Sequence, residues 1–161
     1  MMCRISFVSL LVFASSAALA AGDRFVQKVA LPDGQAVVIA EGDLEARSIG
    51  TYAVRLYSAG DTTFYQSGLI AKRDGSVEAV RLADLDGKGE QQLVVIVRST
   101  GSGGYLSAQA FSFADERIEA RSHVESLAKD ADPIAALTHT TKSDKVLGKG
   151  KYHDPNAGAR P

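Results

Sequence analysis

Apolar and polar positions along this chain alternate in short blocks separated by turn residues. Residues 25–30 and 35–40 are two such blocks with Pro32-Asp33-Gly34 between them. Pro presets φ there and Gly accepts a positive one, so the pair predicts a hairpin. Over 51–57, Tyr52, Val54 and Leu56 fall on one face and Ala53, Arg55 and Tyr57 on the other. That is the period of a strand with one buried side. Ala59-Gly60-Asp61 turns the chain into a block at 62–72, and Arg73-Asp74-Gly75 into another at 76–83. Leu93-Val94-Val95-Ile96-Val97 is an unbroken branched apolar run, the signature of a strand covered on both faces or nearly so. The next strand ends at Phe113, with Phe111 and Phe113 on one side and Leu106, Ala108 and Ala110 on the other. Ala114-Asp115-Glu116 leads into a last strand near 117–121.

Seven to eight short strands without a long helical pattern predict an all-β fold, an antiparallel β-sandwich with an open barrel as the alternative. A parallel sheet would need crossover helices for which there is no room. The segment 124–138 changes character. Asp132 before Pro133 marks a helix start, with a carboxylate to cap free N–H groups and proline at the first helical position. Residues 134–137 then suit one or two turns, a short helical or irregular C-terminal segment. From Lys142 the chain is polar, rich in Lys and Gly and poor in apolar residues. The predicted organisation is a leader at 1–20, a β-domain at 21–138 and a flexible polar tail at 139–161. A solvated tail is favoured over an anchor to anionic lipid or glycan.

The leader changes the picture most. Arg4 precedes an apolar run at 5–13, and Ala18-Leu19-Ala20 offers the small side chains that a signal peptidase accepts. The run is shorter than the roughly 20 residues that a membrane span needs. The expectation is therefore an exported chain, cleaved after Ala20. The single cysteine, Cys3, leaves with the leader, so the remaining chain has neither a disulfide nor an active-site thiol. No cysteine follows the apolar run to take a lipid, so no membrane anchor is expected. With a formal net charge of −1, nothing calls for a nucleic-acid partner.

Three segments carry candidate chemistry. Asp84-Leu85-Asp86-Gly87-Lys88-Gly89-Glu90 has the alternating carboxylates of a calcium loop, which make Asp84 and Asp86 the candidate metal ligands. Lys88 stands where a third acidic ligand belongs, Val95 replaces the twelfth-position Glu, and a strand follows instead of a helix. A tight Asp-Gly turn is the favoured reading, with no metal and no cofactor. Gly101-Ser102-Gly103-Gly104-Tyr105 lacks the following Lys or helix of a phosphate cradle. It is either an ordinary hairpin loop or a recognition loop on a rigid scaffold. His123, His139 and His153 show no metal spacing, and no nucleophile elbow is present, so a small hydrolase has the least support.

The export signal, the small cysteine-free β-domain, the Asp-x-Asp-Gly turn, the apolar strand 93–97 and Ser-Gly-x-Tyr opening the next strand together resemble the periplasmic inhibitors of invertebrate-type (i-type) lysozyme. The strand Thr51-Tyr52-Ala53-Val54-Arg55-Leu56-Tyr57 is similar to that family as well, and the resemblance covers about 25–121. One more residue between Gly and Tyr marks inhibitors of chicken-type lysozyme, so the target class rests on that spacing. The resemblance implies a periplasmic β-sandwich that is not an enzyme. It implies a lysozyme-binding loop of Ser102, Gly103, Gly104 and Tyr105 that enters the substrate cleft of invertebrate-type lysozyme. Dimers occur in that family, which leaves a homodimer open here. The alternative function is an exported calcium- or carbohydrate-binding β-module.

Overall fold

In a computed structural model that describes residues 24–147, the chain forms eight strands and one helix. They are β1 (Val26–Ala30), β2 (Ala36–Glu41), β3 (Ile49–Tyr57), β4 (Tyr65–Asp74), β5 (Ser76–Ala83), β6 (Gln92–Arg98), β7 (Leu106–Ala114), β8 (Arg117–Leu127) and α1 (Pro133–Leu147). The strands make two four-stranded sheets, β1-β2-β3-β4 and β5-β6-β7-β8. All pairs are antiparallel and sequential. The all-β sandwich expected from the sequence is thus the observed architecture. The leader and its cleavage site lie outside the described residues, as do positions 148–161 of the expected tail.

The two sheets close over one apolar layer. Val37, Ile39, Tyr52, Val54 and Leu56 from the first sheet meet Val77, Val80, Leu93, Val95, Val97 and Phe111 from the second. Tyr52 stands edge-on to Phe111 with ring centroids 6.3 Å apart, and burial pushes its phenol pKa well up. The run 93–97 is covered on both faces, as its composition predicts. Leu93, Val95 and Val97 point between the sheets, while Val94 and Ile96 join Leu85, Leu106, Ala108, Ala110 and Leu137 in a second layer under α1.

Local chemistry sets several boundaries. At the first hairpin Gly34 has φ +87°, and Asp33 accepts the Gln35 amide at 3.0 Å. β4 begins at Tyr65, later than expected from 62, because Asp61 captures the Thr63 amide at 2.7 Å in a local turn. β8 runs on to Leu127, past the expected 121. Its second half packs Val124 and Leu127 in the layer with α1, a partner that the strand's own periodicity does not reveal. The predicted helix start is found: Asp132 accepts the amides of Ile134 and Ala135 at 2.9 and 3.3 Å. The helix continues to Leu147, well beyond the one or two turns expected and into the segment assigned to the tail. Thr138 and Thr140 return their hydroxyls to carbonyls four residues back, and Thr141 meets Ser122 of β8 at 2.9 Å. Leu137, fully buried, and Ile134 dock the helix on the second layer, an apolar stripe too thin to show as a period.

The chain passes from one sheet to the other through Gly75 alone. Its φ is +120°, and a Cβ there would overlap the backbone carbonyl of Arg98, so only glycine fits. Beside it lies a buried charge pair. Arg73 and Glu41 are 3% and 6% exposed, with Arg73 Nε 3.7 Å from Glu41 Oε1. The guanidinium donates to the carbonyls of Thr51, Arg47 and Ala46 at 3.2, 2.8 and 3.0 Å and also to that of Gly75. Glu41 in turn accepts the Val77 amide of the opposite sheet at 2.6 Å. Arg73→Met would strip these carbonyls of their donor and leave Glu41 buried without its counter-charge. The expected cost is about 3–5 kcal/mol, read as a lower urea midpoint at an unchanged slope.

Candidate functional site

Antiparallel succession puts the two candidate loops at opposite ends of β6. The loop 99–105 joins β6 to β7, at the end where the chain crosses between sheets. The loop 84–91 joins β5 to β6 at the far end.

The near loop is built from its termini inward. Ser99 donates its amide to the Tyr105 carbonyl at 2.9 Å, which closes the base. Gly104 donates to the Gly101 carbonyl at 3.0 Å, which makes the tip a tight turn. Gly104 sits at φ +54°. A Cβ on Gly103 would collide with the Tyr105 ring, so the ring lies against bare backbone. Ser102 is exposed, and Tyr105 is 55% exposed although it borders a buried strand. The structure therefore brings Ser102, Gly103, Gly104 and Tyr105 together at one exposed tip.

A brace that the sequence does not announce supports this tip. Arg98, the last residue of β6, donates through Nη1 to the carbonyls of Gly104 and Lys129 at 2.9 and 3.3 Å. Its Nη2 donates to Glu78 Oε1 at 2.9 Å, and its Nε donates to Glu78 Oε2. Glu78 reaches it from a bulge. In the β5–β6 register Val77 pairs with Val97 and Ala79 with Ile96, so Glu78 is the extra residue, and a bulge re-aims its side chain. The Arg98 guanidinium, by hydrogen bonding, holds the Glu78 carboxyl below the usual carboxylate range. The sequence reading missed it, although an Arg ending an apolar strand beside a glycine-rich loop was there to be noticed. The bulge that supplies its partner left no such signal.

The far loop spends its carboxylates on itself. Asp84 accepts the amides of Gly87, Lys88 and Gly89 at 2.7, 3.2 and 2.8 Å. Asp86 accepts the Lys88 amide at 3.2 Å and pairs with Lys88 Nζ at 3.0 Å. A hydrogen bond from Lys88 is the main reason its carboxyl is held low. Leu85 between them is fully buried in the layer under α1. Both candidate metal ligands thus act as the acceptors of a turn pinned by its apolar residue. Among the described residues, no three His, Cys, Asp or Glu side chains gather as a metal site requires. His123 lies on β8 and His139 on α1; His153 is outside the described residues.

An exposed, aromatic-tipped loop held on a β-scaffold is the build of a binding domain. The family model for periplasmic lysozyme inhibitors of I-type lysozyme, PliI, matches residues 23–141, and the chain belongs to that family. The crystal structure of PliI-Ah from Aeromonas hydrophila is 42% identical, with a TM-score of 0.66 over 70% of this chain and 98% of that one. Aeromonas hydrophila PliI in complex with Meretrix lusoria lysozyme is 41% identical, with a TM-score of 0.65 over 70% of this chain and 94% of that one. Among curated proteins, none matches. The family is periplasmic, and no described helix is long and apolar enough to cross a membrane.

If the far loop is a structural turn, Asp84→Ala should lower the thermal midpoint by a few degrees, and millimolar calcium should leave the melting of the unaltered protein unchanged. A calcium-dependent rise in melting temperature that Asp84→Ala abolishes would restore the metal reading.

Proposed function

We propose that this chain is an exported inhibitor of invertebrate-type lysozyme and that it acts by inserting the loop of Ser102, Gly103, Gly104 and Tyr105 into the enzyme's active-site cleft. The leader at 1–20 directs export and is removed after Ala20. The observation that carries the reading is the exposed Tyr105 ring lying over Gly103 at the tip of a closed, braced loop, in a chain whose Aeromonas relative is seen in complex with a lysozyme.

The chemistry of the target fits this tip. A glycosidase cleft places two carboxyl groups on either side of the scissile bond. The Ser102 hydroxyl and the Tyr105 phenol are both donors, and O–H···O⁻ bonds to a carboxylate are among the stronger hydrogen bonds. The phenol ring adds a large rigid apolar face suited to a sugar subsite. With no side chain at 103 or 104, the loop is narrow enough to enter. Inhibition on this reading is occupancy: substrate and loop compete for one cleft, and the inhibitor makes or breaks no covalent bond.

Tyr105→Ala should weaken inhibition of an invertebrate-type lysozyme by roughly 2 kcal/mol or more, the usual loss at a binding hot spot. A Ser102→Ala/Tyr105→Ala double variant should lose it in a cell-wall lysis assay. Full inhibition by a folded Tyr105→Ala protein would exclude loop insertion.

A further inference from the structure

We propose that Arg98 is the positioning residue of the inhibitory loop: it ties the Gly104 peptide to β5 and to the β8–α1 connection and so sets how Tyr105 is presented. The inference deepens the loop-insertion reading and rests on it.

The loop needs such a tie. Between Ser99 and Leu106 it contains three glycines, Gly101, Gly103 and Gly104, the residue type with the most conformational freedom to lose. Backbone bonds close its base and its tip, but Gly104, the residue that aims Tyr105, also has a carbonyl to anchor. Arg98 Nη1 takes that carbonyl at 2.9 Å and the Lys129 carbonyl at 3.3 Å. The other two guanidinium nitrogens are held by both Glu78 carboxylate oxygens. Every nitrogen of the group is thus engaged within the chain, so Arg98 is turned toward the scaffold and not toward a partner. The three anchors come from separate parts of the second sheet: the bulge in β5, the loop itself, and the chain beyond β8. Ser126, at φ +55°, belongs to a register slip opposite Leu106 and Ala108, just before the chain passes Lys129. Two local irregularities therefore converge on one guanidinium.

The consequence for binding is preorganisation. A loop ordered before the encounter loses less entropy on entering the cleft, and the difference shows as affinity. The consequence for folding is small, because an ion pair this exposed adds little to global stability. The two effects can therefore be separated. Lysine cannot substitute, since one ammonium lacks the planar fork that reaches a carboxylate and two carbonyls together. Glu78 is ionised at neutral pH, Arg98 holds its carboxyl below the usual range, and the tie weakens as pH falls through that lowered pKa.

The test compares Arg98→Ala and Arg98→Lys with the unaltered exported chain, each with and without Tyr105→Ala. Amide hydrogen exchange is read at Ser99 and Gly104, together with thermal melting and inhibition of an invertebrate-type lysozyme. Both Arg98 variants should melt as the unaltered protein does. They should exchange the two loop amides faster and inhibit more weakly, each by on the order of tenfold. In the Tyr105→Ala background they should cost nothing further. Unchanged exchange at both amides would overturn the proposal. So would faster exchange with undiminished inhibition, or a loss that adds fully to that of Tyr105→Ala, which would make Arg98 a direct contact. Failure of the loop-insertion reading itself is distinct, because it shows as full inhibition by Tyr105→Ala alone.

Discussion

Arg73 stands two residues before Gly75, where the chain crosses from one sheet to the other, buried, with Glu41 as its counter-charge and backbone carbonyls around its remaining donors. An isolated guanidinium in such a place would be prohibitively costly, so the surrounding backbone is obliged to converge on it. Residues 46–47 are drawn in from the β2–β3 connection, Thr51 from β3 and Gly75 from the crossover. Glu41 extends the same network across the sandwich to Val77. The apolar layer holds the two sheets face to face, but that layer is directionless. The charged cluster at one end defines where the first sheet stops and the second begins.

The proposed binding loop grows from this end. Gly75 is pressed against the Arg98 carbonyl, so the backbone that fixes the crossover also fixes the root of the loop. On the outward side, the Arg98 side chain carries the constraint to Gly104. The backbone is hydrogen-bonded up to the base of the loop at Ser99 and Tyr105, and the tip beyond it projects into solvent. The division suits the proposed insertion into a cleft, in which a narrow aromatic tip enters while the sandwich stays outside. The far loop shows the opposite use of polar residues. Asp84 and Asp86 accept the amides of their own turn, and Leu85 anchors it in the layer under α1.

Strand content and face assignment were legible because burial imposes a period of two, and the continuous run at 93–97 read correctly as doubly covered. The loop tip was legible too, since glycines around Ser102 and Tyr105 stand out where no core or turn requires so many. The length of α1 was not legible, because the helix is docked by the narrow stripe of Ile134 and Leu137 rather than by a wide apolar face. Nor was the end of β8, whose later residues Val124 and Leu127 pack in the layer under α1. The Glu78 bulge left no trace, since one extra residue in a strand changes no composition and no turn signal.

The sequence by itself determined which residues must be buried, where the chain must turn and which short glycine-rich segment stands exposed between two strands. Those properties depend on side-chain polarity and local backbone preference, which are written residue by residue. The tertiary structure alone decided that Arg73 meets Glu41, that Arg98 meets Glu78, Gly104 and Lys129, and that Asp84 turns inward on its own loop. Each is a contact between polar groups whose partners are chosen by strand register, sheet crossing or a single bulge. Such choices depend on how whole elements pack, and hydrophobic periodicity does not record them.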